Sequence, residues 1–219
     1  MEQTTIIIPT RNEENAIVEV VSQLTHLSEP AYRIIVIDKS DNLNTLKNAI
    51  LAGAGVLEQK SCGKGNAIKE AIAYANEGII IFFDGDNSYP ANRAVEFEQA
   101  ILEGNDIVYG VRNIDLSNTP LLNCIGNYVF SFIASTIWGK TTDLLTGMIA
   151  IRRKTFLSLD IQATGFELET ELFIKACKHK LKIKEIPILY VRRTGDKKLN
   201  PWKDGKRILD TMVRELLRR

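Results

Sequence analysis

The sequence predicts an α/β protein built on a doubly wound, mostly parallel sheet, and two features carry that prediction. Apolar runs of strand length recur without polar alternation, as strands buried on both faces require. Between them lie segments with apolar residues at helical spacing, so strand and helix alternate over about the first 110 residues.

The first run, Thr5-Ile6-Ile7-Ile8, precedes a helical face of Ile17, Val20, Val21 and Leu24, with Glu13 and Glu14 placed as acidic first-turn residues. Ile34-Ile35-Val36-Ile37 gives a second strand. Ala67, Ile68, Ala71, Ile72 and Ala75 form another helical face behind Gly63-Lys64-Gly65. Ile79 to Phe83 and Ile107-Val108-Tyr109 supply two more strands. The second half changes character: an amphipathic segment from Pro120 to Trp138, a strand from Met148 to Ile151, a helix from Glu167 to Lys180 and a strand from Ile183 to Val191. A terminal helix follows, with Asn200 as its cap and Pro201 at its first position. No repeat or linker divides the chain, so residues 1–219 are expected to form a single domain.

With 28 basic and 27 acidic residues and 45% hydrophobic content, disorder, collagen and purely electrostatic nucleic-acid binding are excluded. Cys62, Cys124 and Cys177 are widely spaced and lack a C-x-x-C pattern, and they read as packing residues in a reducing compartment rather than a zinc module. The N-terminal residues lack a targeting pattern, and the longest apolar stretch, Ile125 to Trp138, is interrupted by polar residues. A cytoplasmic protein without a transmembrane segment is expected. Charge is uneven: from Arg192 onward ten Lys or Arg face four Asp or Glu, a net +6, which leaves −5 on the remainder. A basic arm on an acidic body points to an anionic partner.

In open α/β sheets ligands bind beyond the carboxyl ends of the strands. Those ends are polar here: Pro9-Thr10-Arg11-Asn12-Glu13, Asp38-Lys39-Ser40 and Asp84-Gly85-Asp86-Asn87. Turn propensity alone accounts for such residues one site at a time. Taken together, carboxylates converging at adjacent strand ends repel one another unless a cation or a donor-rich ligand lies between them. Asp84 and Asp86, at i and i+2, are placed to share one Mg²⁺ or Mn²⁺, and Gly85 between them allows close backbone approach to a ligand.

These residues resemble the family 2 glycosyltransferases of GT-A fold, and within them the dolichyl- or polyprenyl-phosphate mannose and glucose synthases. The similarity runs over nearly the whole chain. Ile6 to Glu14 looks like the family's opening strand and nucleoside-contacting loop, Val36-Ile37-Asp38 like its second nucleoside contact, and Gly63-Lys64-Gly65-Asn66-Ala67 like its glycine-lysine-glycine turn. Asp84-Gly85-Asp86 falls at its metal-binding D-x-D. Thr142 to Met148 and Gly165 to Leu172 look like acceptor-side segments, and Arg192 to Pro201 resembles the basic loop of the polyprenyl-phosphate enzymes, with Lys197 in place of a usual Ser.

The resemblance implies a single GT-A domain with a nucleotide-sugar half (1–112), an acceptor half (113–199) and a terminal amphipathic helix (200–219). It implies Pro9, Thr10, Arg11, Glu13, Asp38, Lys64, Gly65, Asp84 and Gly85 as donor contacts and Asp84 and Asp86 as ligands of Mg²⁺ or Mn²⁺. Asp84, Asp86, Asp143 and Glu169 become the catalytic candidates, and Arg152, Arg192, Arg193, Lys197 and Lys198 the acceptor-phosphate candidates. The implied reaction is inverting transfer of a hexose, mannose or glucose, from a GDP- or UDP-linked donor to a polyprenyl or dolichyl phosphate. The enzyme is then peripheral on an anionic membrane at its cytoplasmic face. Lys39 stands where many relatives carry an acid, and the choice of base stays open. Two alternatives stay open as well: transfer to a soluble hydroxyl acceptor with Glu169 as base, and a non-catalytic scaffold of the same fold. A nucleotidyltransferase would carry a glycine-rich loop after the first strand, which Pro9-Thr10-Arg11-Asn12 is not. The terminal stripe of Ile208, Leu209, Met212, Val213, Leu216 and Leu217 fits either packing on the domain or lying in a membrane interface.

Overall fold

Each apolar run of the sequence becomes a strand covered on both faces. The computed structural model describes residues 3–27, 32–195 and 198–218, so Lys197 and Arg219 lie outside the described residues. The strands are β1 (Gln3–Thr10), β2 (Arg33–Asp38), β3 (Gly55–Glu58), β4 (Gly78–Phe82), β5 (Ile107–Arg112), β6 (Ile149–Arg152) and β7 (Ile183–Ile188). They form one sheet in the order β3-β2-β1-β4-β6-β5-β7. Pairing is parallel except around β6, which runs antiparallel to β4 and β5 with Phe82 opposite Ile149 and Tyr109 opposite Ile149. The carboxyl ends of β1, β2, β4 and β5 and the amino end of β6 therefore share one edge of the sheet.

The helices are α1 (Ile17–Thr25), α2 (Asn44–Leu51), α3 (Lys64–Ile72), α4 (Arg93–Leu102), α5 (Leu121–Ile137), α6 (Arg153–Ser158), α7 (Leu168–Lys178) and α8 (Pro201–Leu217). Strand alternation distributes the core: Ile6 and Ile8 pack with α1 and α4 on one face, while Ile7 packs with α3, α7 and α8 on the other. This is the expected α/β architecture. Three local expectations are corrected. α1 begins at Ile17 with Glu19 in its first turn, so Glu13 and Glu14 precede the helix rather than forming its first turn. β7 ends at Ile188 instead of Val191. Cys62 is exposed, so it does not pack in the interior, whereas Cys124 and Cys177 are half-buried.

Two elements of the second half explain the site. α5 is inside-out: Asn127 and Ser131 are its buried side chains with Ala134, while Leu121, Ile125, Tyr128 and Phe132 stand 51–73% exposed. The polar pair is buried because it satisfies backbone donors, the N–H of Leu145 donating to Asn127 Oδ1 (3.2 Å) and that of Leu144 to Ser131 Oγ (2.9 Å). In α8 the apolar stripe is split. Ile208 and Met212 are buried against the domain, and Leu209, Val213, Leu216 and Leu217 stay exposed. Asn200 caps the helix, its Oδ1 accepting from the N–H groups of Trp202 and Lys203 at 3.1 and 3.0 Å. No helix among the described residues is long and apolar enough to cross a membrane.

The inside-out helix makes a stability prediction. Ser131→Ala leaves the buried Leu144 N–H without its acceptor and lowers the unfolding free energy by about 1–3 kcal/mol in urea titrations. Ile125→Ser and Phe132→Ser, on the exposed face, change it by less than about 0.5 kcal/mol.

Candidate active site

The shared sheet edge opens on a cavity of about 540 Å³. Its floor, at the strand ends, is charged, with Lys64, Asp84, Asp86, Arg112 and Glu169, and its other side is mixed, with Leu122 and Phe130 beside Asn123 and Asn127 on α5 and Pro201 and Ile208 on α8.

Lys64 organises the floor. The Gly63-Lys64-Gly65 turn opens α3, and Lys64 Nζ lies 2.7 Å from Asp84 Oδ1 and 2.8 Å from Glu169 Oε1. Burial works against the lysine charge, but the carboxylates of Asp84 and Glu169 outweigh it and the ammonium is held above its ordinary pKa. Burial likewise opposes charge on Asp84, yet the Lys64 ammonium brings that carboxyl below its usual range. Glu169 goes the other way, since burial exceeds the stabilisation it receives from Lys64. Asp84 also needs Gly147, because a Cβ there would fall 1.9 Å from Asp84 Oδ2. The Gly147 N–H donates to the buried Tyr89 hydroxyl at 2.6 Å, which fixes that strand entry behind the carboxylate.

Asp86 faces a different set of partners. Its carboxylate accepts from the backbone N–H and hydroxyl of Ser88, and Arg193 Nη2 lies 3.4 Å from Oδ2. Burial and the neighbouring negative charge of Asp84 raise the Asp86 carboxyl above its ordinary value. Arg193 Nη2 also reaches Glu13 Oε1 (3.0 Å), and Lys198 Nζ reaches the same oxygen at 3.4 Å. Burial pushes Glu13 up to about 7 even with these cations beside it. The N–H groups of Val191 and Thr194 donate to the carbonyls of Ser88 and Asp86, tying the basic loop to the end of β4.

At the adjacent strand ends the Asp38 carboxylate accepts from Thr10 Oγ1 (2.8 Å), Ser40 N–H (3.0 Å) and Ser40 Oγ (2.7 Å). Pro9 and Thr10 end β1 beside it, and Arg11 is exposed. Asp143 lies behind the cavity wall, almost wholly buried, and holds Arg112 through a fork, Nε to Oδ2 and Nη2 to Oδ1, both 2.7 Å.

The structure brings Lys64, Asp84, Asp86, Glu169, Arg192 and Arg193 to one cavity, with Glu13 and Lys198 behind the loop. Lys197 lies outside the described residues. Arg152 is not at the site. It pairs with Ile79 at the start of β4, at the opposite sheet edge, and donates to the Ile101 carbonyl at the end of α4 (3.0 Å). At Gly85 a Cβ would fall 2.6 Å from Thr10 Cγ2, so its small size is required by packing against the end of β1. Arg112 and Tyr89 escaped sequence reasoning. The Ile107 run continues through Gly110 and Val111, and Arg112 is the polar residue at its end, the same signal that marks Asp38 and Asp84.

The family model of Glycosyl transferase family 2 matches residues 5–158. The chain is 33% identical over 215 residues to a dolichyl-phosphate hexose transferase of Haloferax volcanii, covering 97% of this chain and 93% of the relative. It is 32% identical to the glycosyltransferase AglJ of the same organism, covering 91% of this chain and 67% of that one. Among solved structures it resembles glucosyl-3-phosphoglycerate synthase from Mycobacterium tuberculosis in complex with Mn²⁺, uridine diphosphate and phosphoglyceric acid. That likeness has a TM-score of 0.78 at 21% identity, over 98% of this chain and 78% of that one. These likenesses set aside the non-catalytic scaffold: the GT-A sheet carries a transferase site, and the chain belongs to glycosyltransferase family 2.

Proposed function

We propose that this glycosyltransferase moves a hexose, mannose or glucose, from a GDP- or UDP-linked donor to a polyprenyl phosphate, with inversion, while bound peripherally to the cytoplasmic face of an anionic membrane. The observation that carries the reading is the cavity itself. Its charged floor faces a side to which α5 and α8 contribute apolar residues, and those two helices expose large apolar side chains at Leu122, Tyr128, Phe132 and Trp202. A lipid phosphate has the same two parts. The name of the 33% identical relative, a dolichyl-phosphate hexose transferase, supports the same acceptor class.

The donor half follows from the strand ends. Asp38 has about four acceptor sites and uses three on Thr10 and Ser40, which leaves one on Oδ2 for an N–H of the base. A divalent cation fits the floor. Asp84 and Asp86 are hard oxygen donors, Asp86 raised by burial and by the charge of Asp84, and they would hold Mg²⁺ or Mn²⁺. Such an ion is typically held by one or two carboxylates together with substrate phosphates, so a donor diphosphate would supply the further oxygens. When bound, the metal neutralises charge developing on the departing nucleoside diphosphate. Lys64 adds a fixed positive charge at that end of the cavity. On the acceptor side, Arg112 spends Nε and Nη2 on Asp143 and the Leu145 carbonyl, which leaves Nη1 to meet a phosphate beside the guanidinium groups of Arg192 and Arg193.

A phosphate acceptor is already anionic and needs no strong base, which agrees with a Glu169 held on Lys64. The soluble-hydroxyl reading keeps one observation in its favour, the raised carboxyl of Glu169. Glu169→Gln separates the two. Turnover with polyprenyl phosphate stays within about tenfold of wild type, whereas a hydroxyl acceptor that depends on the base loses about a hundredfold or more.

Asp86→Asn keeps the shape of the side chain and loses its charge. The variant folds, binds Mn²⁺ weakly in calorimetry and transfers at least about a hundredfold more slowly; full turnover by the folded variant, or by wild type in chelator, would remove the metal. Pairing Ile125→Ser with Phe132→Ser tests the membrane face. Sedimentation with phosphatidylglycerol vesicles falls and the KM for polyprenyl phosphate rises about tenfold, with donor KM unchanged. Equal vesicle binding by this variant and wild type would remove that face from the proposal.

A further inference from the structure

The first turn of α7 carries two buried glutamates with different partners. Glu169 touches Lys64 directly, whereas Glu171, with no exposed surface, faces the segment 162–165 and α8. Glu171 accepts from the backbone N–H groups of Gln162 (3.0 Å) and Ala163 (2.6 Å), and it is paired with Lys175 (2.7 Å) and with Arg214 Nη2 of α8 (3.3 Å). Its neighbour Glu167 accepts from the N–H groups of Thr164 and Gly165, both at 2.9 Å, and Arg207 of α8 reaches over Gly165. Two carboxylates thus fold 162–165, and two arginines of α8 stand against them.

That segment is the seat of the lysine turn. The Asn66 N–H donates to the Thr164 carbonyl at 3.1 Å. Backbone meets backbone so closely that a Cβ at Gly63 would fall 2.2 Å from Thr164 O, and one at Gly65 would fall 2.7 Å from Ala163 O. No flexible side chain lies between them to absorb a displacement, so a shift of 162–165 passes to Gly63-Lys64-Gly65 and hence to the ammonium between Asp84 and Glu169.

We propose that Glu171 and Arg214 are positioning residues for Lys64, and that through this tie the terminal helix holds the lysine in the geometry the donor site requires. The inference rests on the proposed role of Lys64 at the donor, but the tie itself can be measured without substrate. Reductive methylation of the intact protein, read peptide by peptide in the mass spectrometer, reports how readily Lys64 reacts. Arg214→Gln removes one end of the tie at a half-exposed position, raises Lys64 methylation about threefold to tenfold and lowers turnover by a similar factor. Arg214→Lys restores both. Ser131→Ala, which destabilises the fold elsewhere, leaves Lys64 methylation at the wild-type level. Unchanged Lys64 methylation in Arg214→Gln, or an equal rise in Ser131→Ala, would overturn the tie. A rise in methylation with no loss of turnover would keep the tie and remove Lys64 from the donor site.

Discussion

Two carboxylates that share one ammonium set the geometry of this site. Asp84 and Glu169 come from elements far apart in the chain, the end of β4 and the first turn of α7, and both meet Lys64 at the start of α3. Holding two like charges side by side is unfavourable unless a cation satisfies both. Several otherwise unrelated residues follow from that constraint. Gly63 and Gly65 let the lysine turn sit on the backbone of 163–164, and Gly147 leaves room for the Asp84 carboxylate. Tyr89 fixes Gly147 from behind.

A second group of charges, three cations against three carboxylates, stands beside this set. Arg193 and Lys198 converge on Glu13, Arg193 also approaches Asp86, and Arg112 is held in place by Asp143. These cations lean on the protein's own carboxylates, so any anion that entered here would exchange partners rather than meet unsolvated charge. Such exchange keeps the net electrostatic gain modest and makes it sensitive to geometry. The α5 and α8 side of the cavity continues into the exposed apolar face of α5, and in the proposed reading that surface selects the acceptor.

The strands buried on both faces were legible from sequence because β1, β2 and β4 are runs of isoleucine and valine that no half-exposed strand would carry. The floor carboxylates were legible as the polar residues that end those runs. β3 was not singled out, since a four-residue edge strand with mixed burial has no such run. Arg152 was misplaced for a topological reason: β6 runs antiparallel, so the residue after its apolar run lies at the far edge of the sheet. α5 read as amphipathic, but which face turns inward depends on two backbone N–H groups of 144–145 that need acceptors, and helical periodicity carries no such information. Glu171 and Arg214 are 43 residues apart and have no motif in common, so only the packing of α8 on α7 brings them together.

The acceptor decides whether the apolar face of α5 and the charged floor work as one device. The direct measurement incubates the protein and Mn²⁺ with labelled GDP-mannose or UDP-glucose, offers polyprenyl phosphate in detergent or 3-phosphoglycerate in water, and partitions the product between butanol and water. A lipid-phosphate acceptor places the label in butanol, only when polyprenyl phosphate is present, and chelation of the metal abolishes it. Label that stays in water, and appears on 3-phosphoglycerate alone, would contradict the lipid-phosphate acceptor and give Glu169 the work of a base.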